Sequence, residues 1–269
     1  MTDLHVGAPL RVALIGRGGI GRVLIRELQA RANQGVLLVG VLARRQVEGD
    51  RELQVRSLSE LLNRKPDLVV EAAGHEAVRV YGADILRAGH DLLLASVGAL
   101  ADDALRQELE QSARAGGSQL VLPSGGLAGL DYLQAAQLVG LDDVCLRSRK
   151  PPQAWSGTLA EIRLDLSALR EATVFFNGSA RQAARDFPKN ANVAASLALC
   201  TLGLDRTRVE LVADPSIDGN VHEVMASGAA GELHLRLCNA ASPDKPKTSL
   251  VTAFSLLHNI LARRSCLST

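Results

Sequence analysis

Three things are scarce in this sequence, and each scarcity excludes something. Aromatic residues occupy only 3% of its 269 positions, so the apolar 47% is carried by Leu, Ala and Val and the core is expected to be aliphatic. No apolar run approaches the about 18 uninterrupted residues of a bilayer-spanning helix, so no membrane span is expected. An excess of charge is also missing. Thirty basic against 29 acidic residues leave +1, which argues against the clustered positive charge that nucleic acid or an anionic membrane surface demands.

Cysteine is sparse and scattered. Cys145, Cys200, Cys238 and Cys266 form no CxxC pair and have no histidine at ligand spacing, so neither a zinc site nor a disulfide framework is indicated. No metal is expected, and reduced thiols fit a cytoplasmic protein. The opening "MTDLHVGAPLRVALIG" lacks the basic segment, apolar run and small-residue cleavage site of a signal peptide, in keeping with that expectation.

What is present begins with rhythm. Apolar runs of strand length, "LRVALIG" (10–16), "GVLLVGVLA" (35–43), "DLVVEAAG" (67–74), "DLLLAS" (91–96) and "SQLVLPSG" (118–125), alternate with helical segments. One of these carries Ile20, Val23, Leu24 and Leu28 on a single stripe, and another, "SLSELLN", is opened by Ser57. Such alternation predicts a doubly wound parallel sheet of the Rossmann kind. After about residue 140 the pattern changes to "DVCLRSRK", "EATVFFNGS", "RVELVAD", "NVHEVMASG" and "GELHLRLCN", read as a mainly antiparallel sheet in an α+β domain. The last two strands form an expected hairpin, and a final helix starts at a Thr248 cap. The expected division is a dinucleotide-binding domain over 1–123 and a substrate and dimerisation domain over 124–247. The helix of 248–266 returns to the first.

"GRGGIG" places Gly16, Gly18 and Gly21 at GxGxxG spacing, directly after a strand and opening a helix. The three glycines serve a tight turn, close backbone approach to a pyrophosphate, and strand–helix packing. The backbone N–H groups near Gly19 and Ile20 then face the phosphates from a positive helix end. NAD-selective domains carry an acid about 20 residues further on; here "LARRQ" offers Arg44 and Arg45 instead. Guanidinium groups suit a 2′-phosphate, so NADP, or both NAD and NADP, is expected. Later strand ends contribute small residues, Ala73, Gly74, Ser96 and Gly98, that leave room for ribose and nicotinamide. His75 opens the next helix and reads as structural.

Three polar clusters punctuate the second half: "FPKNANVAA", "DGNVHEV" and "PDKPKTS". Singly, Asn190 and Asn192 read as helix caps and the lysines as solvated charge; together they supply the cations, amides and imidazole that a dicarboxylate substrate requires. In "NVHEV", strand alternation puts His222 with Val224 on one face and Glu223 with Val221 on the other.

The set "LPSGGLAGLD", "RKPPQAW", "VFFNGSARQAARDFPKNANVAA", "GLDRTRVELVADP", "NVHEV" and "PKTS" closely resembles the L-aspartate dehydrogenase family, over essentially the whole chain. That resemblance implies a Rossmann domain followed by an α/β domain in a homodimer. It also implies reversible conversion of L-aspartate to oxaloacetate and ammonia with NAD or NADP. It maps the catalytic histidine to His222, a cofactor-contacting asparagine to Asn192, and a second cofactor contact to Gly126, where the family has an SGA-type turn and this chain reads "SGG". His222 is expected to titrate near neutrality, to activate water against iminoaspartate and to lie beside the nicotinamide, while Glu223 points away. Lys189, Asn190, Lys247, Thr248 and Ser249 are the candidates for holding the substrate carboxylates. Two other readings remain open at this stage. One is a homoserine dehydrogenase or dihydrodipicolinate reductase relative; the other is a non-catalytic NAD(P)-binding protein.

Overall fold

The run "LRVALI" forms β1, Leu10–Ile15, whose last four residues are all buried, as for a strand covered on both faces. The computed structural model describes residues 8–44, 51–188, 192–242 and 245–265, with the backbone alone for 241–242 and 245–248. From β1 the chain alternates through α1 (Gly19–Ala30), β2 (Val36–Leu42), β3 (Gln54–Val55), α2 (Leu58–Asn63), β4 (Leu68–Glu71), α3 (His75–Arg87), β5 (Asp91–Leu94), α4 (Asp103–Gly116) and β6 (Leu120–Val121). All six strands pair in parallel, in the order β3-β2-β1-β4-β5-β6. Chain order reverses between β1 and β4, and ligands of such sheets bind outside the strand ends at that switch point. Local chemistry supports each element. Leu24 and Leu28 join the core beneath the sheet with Ile20 packed against it, Val23 is buried as well, and the Ser57 side chain accepts the Glu60 N–H at 3.2 Å to cap α2.

The second half continues with α5 (Leu130–Val139), β7 (Leu141–Lys150), α6 (Ala160–Arg163), β8 (Thr173–Ser179), α7 (Ala180–Asp186), α8 (Asn192–Cys200), β9 (Arg208–Ala213), β10 (Asn220–Gly228), β11 (Gly231–Asn239), β12 (Ala241–Ser242), β13 (Lys245–Ser249) and α9 (Leu250–Ala262). Five of these strands make a sheet in the order β11-β10-β7-β9-β8. Only β7 and β9 run parallel; the other pairs are antiparallel. The β10–β11 hairpin closes through Ala229 and Ala230 between the paired Gly228 and Gly231. Four of the five Phe and Trp residues gather in one edge-to-face cluster of Trp155, Phe175, Phe176 and Phe187.

Besides β3, α6, β12 and β13, which the sequence reading did not mark, two elements depart from it. The helix α5 was not anticipated, because it buries only Leu133 and Ala136 and so carries little periodic contrast. The last helix begins at Leu250, not at Thr248. Ser249 is paired with Ala241 in β13, so Thr248 belongs to the strand and cannot cap the helix.

Two compact units result. One gathers the chain up to Ser96, Asp103–Pro123 and the segment from Ala253 onward; the other gathers Val97–Asp102 and Ser124–Thr252. In the first, Leu256, Leu257 and Ile260 of α9 join Val12, Leu14, Leu24, Val36 and Leu68 in one core. Each side chain so buried contributes about 1.5–3 kcal/mol. The helix is thus part of the dinucleotide-type unit and not an appendage. Leu256→Ala, at a fully buried position, is expected to lower stability by about 2–4 kcal/mol in urea unfolding; a loss below about 1 kcal/mol would place α9 outside the core.

Candidate active site

The glycine-rich turn of the first unit has the shape a pyrophosphate requires. Gly16 sits at φ +106°, and a Cβ there would lie 2.6 Å from the Ala72 carbonyl oxygen. At Gly21 a Cβ would come within 2.3 Å of the Gly16 oxygen, so α1 packs against the turn only with glycine. Gly18, by contrast, is exposed and has nothing within 4 Å of where its Cβ would be. The first and third glycines are demanded by the protein itself; the middle one leaves open space beside backbone. The twelve-residue α1 has Gly18 as its N-cap, with no side chain capping it and no acid in its first turn. Its N–H groups at Gly19 and Ile20 are therefore left to an anion. The residues fit a dinucleotide.

A carboxylate not singled out from the sequence organises the neighbouring strand ends. Glu71, at the end of β4, is 1% exposed. Its Oε1 accepts the N–H of Ala73 and of Gly74, each at 2.7 Å, and the Ser96 hydroxyl at 3.0 Å, while Oε2 accepts the Ser96 N–H at 3.0 Å. Burial pushes its carboxyl up, opposed by these four donors. The loop carrying Ala73 and Gly74 is thus locked to Ser96 after β5, and the Ser96 hydroxyl is already committed. Arg44 lies exposed just beyond β2; Arg45 is outside the described residues.

In the second unit, antiparallel pairing of β7 and β10 sets His222 opposite Ser148. Alternation turns Ser148 and Lys150 of β7, with Asn220 and His222 of β10, to the buried face, and all four are 3–6% exposed. The Ser148 hydroxyl and His222 Nδ1 are 3.0 Å apart. Nε2 has no hydrogen-bond partner among the described residues and looks toward Gly126, 3.8 Å from the place a Cβ there would take. That place also lies 3.5 Å from Asn239 Nδ2 and 3.8 Å from Val193, all ordinary contact distances, so an alanine in this turn would fit as well. Asn239 Nδ2 donates to the Gly126 carbonyl at 2.8 Å, and Asn192 Oδ1 accepts the Gly98 N–H at 2.9 Å. Glu223, on the other face, approaches Arg149 at 3.9 Å and Arg236 at 3.5 Å and is no partner of the imidazole.

Burial alters the chemistry expected of His222. Desolvation first, and then the Lys150 charge, push it down to about 3, so it is neutral at physiological pH and does not titrate near 6.5. Burial likewise pushes Lys150 down to about 8. Sequence reasoning missed Ser148, Lys150 and Asn239. The alternation of "LRSRK" already put Ser148 and Lys150 on one face; what it lacked was the register against β10. Of the proposed carboxylate holders, Lys189 and Asn190 lie outside the described residues, and only the backbone of Lys247 and Thr248 is described, in β13. Ser249 is buried with its hydroxyl unpaired among the described residues.

Known proteins resemble this chain along nearly its whole length. Residues 16–123 match a family described as homoserine dehydrogenase, NAD binding domain, and residues 131–263 one described as aspartate dehydrogenase, C-terminal. L-aspartate dehydrogenase 2 of Bordetella bronchiseptica is 45% identical over 257 residues, spanning 93% of this chain and 95% of that protein. The L-aspartate dehydrogenase of Ruegeria pomeroyi is 44% identical over 255 residues, spanning 93% and 91%. The crystal structure of aspartate dehydrogenase from Thermotoga maritima superposes with a TM-score of 0.77 at 28% identity, covering 97% of this chain and 99% of that one.

Neutral burial of His222 has a consequence for stability. An unfolded imidazole takes a proton near pH 6.5, whereas the folded one resists until about 3. Its contribution is therefore intact above about pH 6.5 and is lost progressively as pH falls toward 3. Relative to wild type, His222→Gln is expected to lose about 1–3 kcal/mol less between pH 7 and pH 4.5 in urea unfolding. Parallel losses in the two proteins would contradict the neutral burial.

Proposed function

This chain belongs to the L-aspartate dehydrogenase family and is an NAD(P)-dependent amino-acid dehydrogenase acting on L-aspartate, and we propose that His222 is the group that moves protons in its reaction, with ammonia and oxaloacetate as the other products. The observation that carries this reading is an imidazole held by one neighbour and left open at the other nitrogen. The open Nε2 is available to a proton, while Nδ1 is engaged by a hydroxyl that can either donate or accept.

The chemistry follows from that arrangement. A bound nicotinamide would supply the acceptor for the hydride that leaves the aspartate α-carbon. Iminoaspartate must then take up water, and a water molecule attacks carbon only as it loses a proton. With Nδ1–H donated to Ser148 Oγ, the Nε2 lone pair receives that proton and passes it to the carbinolamine nitrogen; ammonia then leaves as the remaining hydroxyl proton moves to the same Nε2 and the carbonyl of oxaloacetate forms. In the reverse direction the roles exchange. Ser148 acts as a positioning residue, since its hydroxyl serves the ring in either protonation state. Neutrality at rest suits His222 for the first task, because a proton acceptor must begin without its proton.

The cofactor is assigned to the backbone of Gly16, Gly18, Gly19, Ile20 and Gly21, to Ala73, Gly74 and Ser96, and to Gly126 and Asn192 of the second unit. Support comes from the open space at Gly18 and the uncapped start of α1. Arg44, exposed where an NAD-selective domain carries an acid, supports use of the 2′-phosphate of NADP. A homodimer belongs to the same reading, supported by large apolar side chains left exposed in the second unit, Leu138 and Ile162 among them. Cytoplasmic placement is supported by the free thiols of Cys145, Cys200 and Cys238.

The test is a spectrophotometric assay in both directions with NAD and NADP in parallel. His222→Asn is expected to lower kcat by about 10²–10⁴-fold while cofactor binding and the melting temperature stay near those of wild type; near-normal turnover would remove the assigned role. Arg44→Ala is expected to raise the KM for NADP about tenfold or more, the worth of a charge-assisted pair, and to leave that for NAD unchanged. Equal effects on both cofactors would place Arg44 away from the 2′-phosphate.

A further inference from the structure

One buried charge on the His222 face takes no part in the proton transfers just described. Lys150 ends β7 two residues past Ser148, so its side chain leaves the strand on the same side as that serine. The register that pairs Ser148 with His222 puts it on the side of the imidazole as well. It is 6% exposed. Its surroundings are braced: Nζ stands 5.3 Å from the centre of the Trp155 ring, whose indole N–H donates to the Val212 carbonyl at 3.1 Å. The Asp214 N–H holds the Lys150 carbonyl at 2.9 Å, and the Asp214 carboxylate accepts from Arg149 and from the Ser216 hydroxyl. These contacts tie the end of β7 into the sheet.

Lysine normally lays its stem along apolar surface and keeps its head solvated. A fixed, inward-facing lysine is an expensive way to fill volume that methionine fills without a charge. The register sets it on the same buried face as the His222 imidazole, Ser148 and Asn220, a low-dielectric setting that strengthens the attraction between an ammonium and an arriving carboxylate.

We propose that Lys150 receives a carboxylate of aspartate or oxaloacetate at the His222 site and is a substrate-binding residue of the enzyme. This rests on the assignment of His222 above and goes beyond it by naming the cation. The contact has a second effect. Burial is the larger influence that holds down the proton affinity of His222; neutralising Lys150 lifts the smaller one, so seating the substrate shifts the imidazole part of the way back toward carrying a proton.

The experiment is a calorimetric titration of the NADP⁺-loaded protein with succinate, an unreactive dicarboxylate that reads the contact without turnover. Lys150→Met is expected to weaken succinate by about 30–100-fold, to leave NADP⁺ binding unchanged, and to melt at or above the wild-type temperature, since no charge is left to desolvate. Lys150→Gln is expected to fold and to lose succinate to the same degree. Succinate binding within threefold of wild type in either variant overturns the proposal. So does failure of both variants to melt cooperatively, which would make the lysine structural, and so does a wild-type protein that binds no succinate. A wild-type protein that binds succinate yet turns over no aspartate leaves Lys150 in place and removes the His222 reading instead.

Discussion

The antiparallel register of β7 against β10 is the constraint on which the second unit's chemistry depends. Because side chains alternate along a strand, a slip of one residue would turn Ser148, Lys150 and His222 to the opposite face and Arg147, Arg149 and Glu223 inward. Three features hold β7 and β10 in their sheet. The hairpin fixes β10 against β11 through a two-residue turn between glycines. Val144, Leu146, Val224 and Ala226 bury the apolar stretch of the same face. Across the other face, Arg149 reaches both Asp214 and Glu223, and Arg147 donates to Glu210 at 2.6 Å. An apolar stretch thus runs into a polar end, and the polar end is where the candidate catalytic groups are.

Two buried acid–base side chains show how burial can serve opposite ends. Glu71 accepts from four donors, three at Oε1 and one at Oε2, and locks two loops of the dinucleotide-type unit together. His222 spends one nitrogen on Ser148 and keeps the other. Both are shifted by desolvation toward their neutral forms. The difference lies in satisfaction: the carboxylate is bonded at both oxygens and ties loops together, whereas the imidazole keeps one nitrogen without a bond among the described residues, which is what the role proposed for it uses.

The division of labour between the units follows from the same physics. Phosphate recognition needs backbone N–H groups and the absence of side chains, which a glycine-rich turn at a helix start supplies from a dozen contiguous residues. The proposed substrate site sets an imidazole, a hydroxyl and a cation on one desolvated face, and no contiguous stretch provides that. The second unit therefore draws on β7, β10, β11 and the turn at Gly126.

Much of this was written locally. Strand–helix alternation, the GxGxxG spacing, the Ser57 cap, the β10–β11 hairpin and the inward side of His222 all depend on residues within a few positions of one another, so the sequence by itself determined them. Family-level similarity of motifs likewise lies in contiguous strings. What only the tertiary structure decided is of another kind. That Ser148 is the neighbour of His222, that Lys150 shares its face, that Glu71 gathers Ala73, Gly74 and Ser96, and that Thr248 ends a strand instead of starting a helix all depend on pairings between segments distant in the chain. The imidazole's neutrality is the clearest case. Its residue type and strand position were legible, but its proton affinity is set by the water excluded around it and by a lysine 72 positions earlier, and desolvation is a property of the folded surroundings, not of the strand.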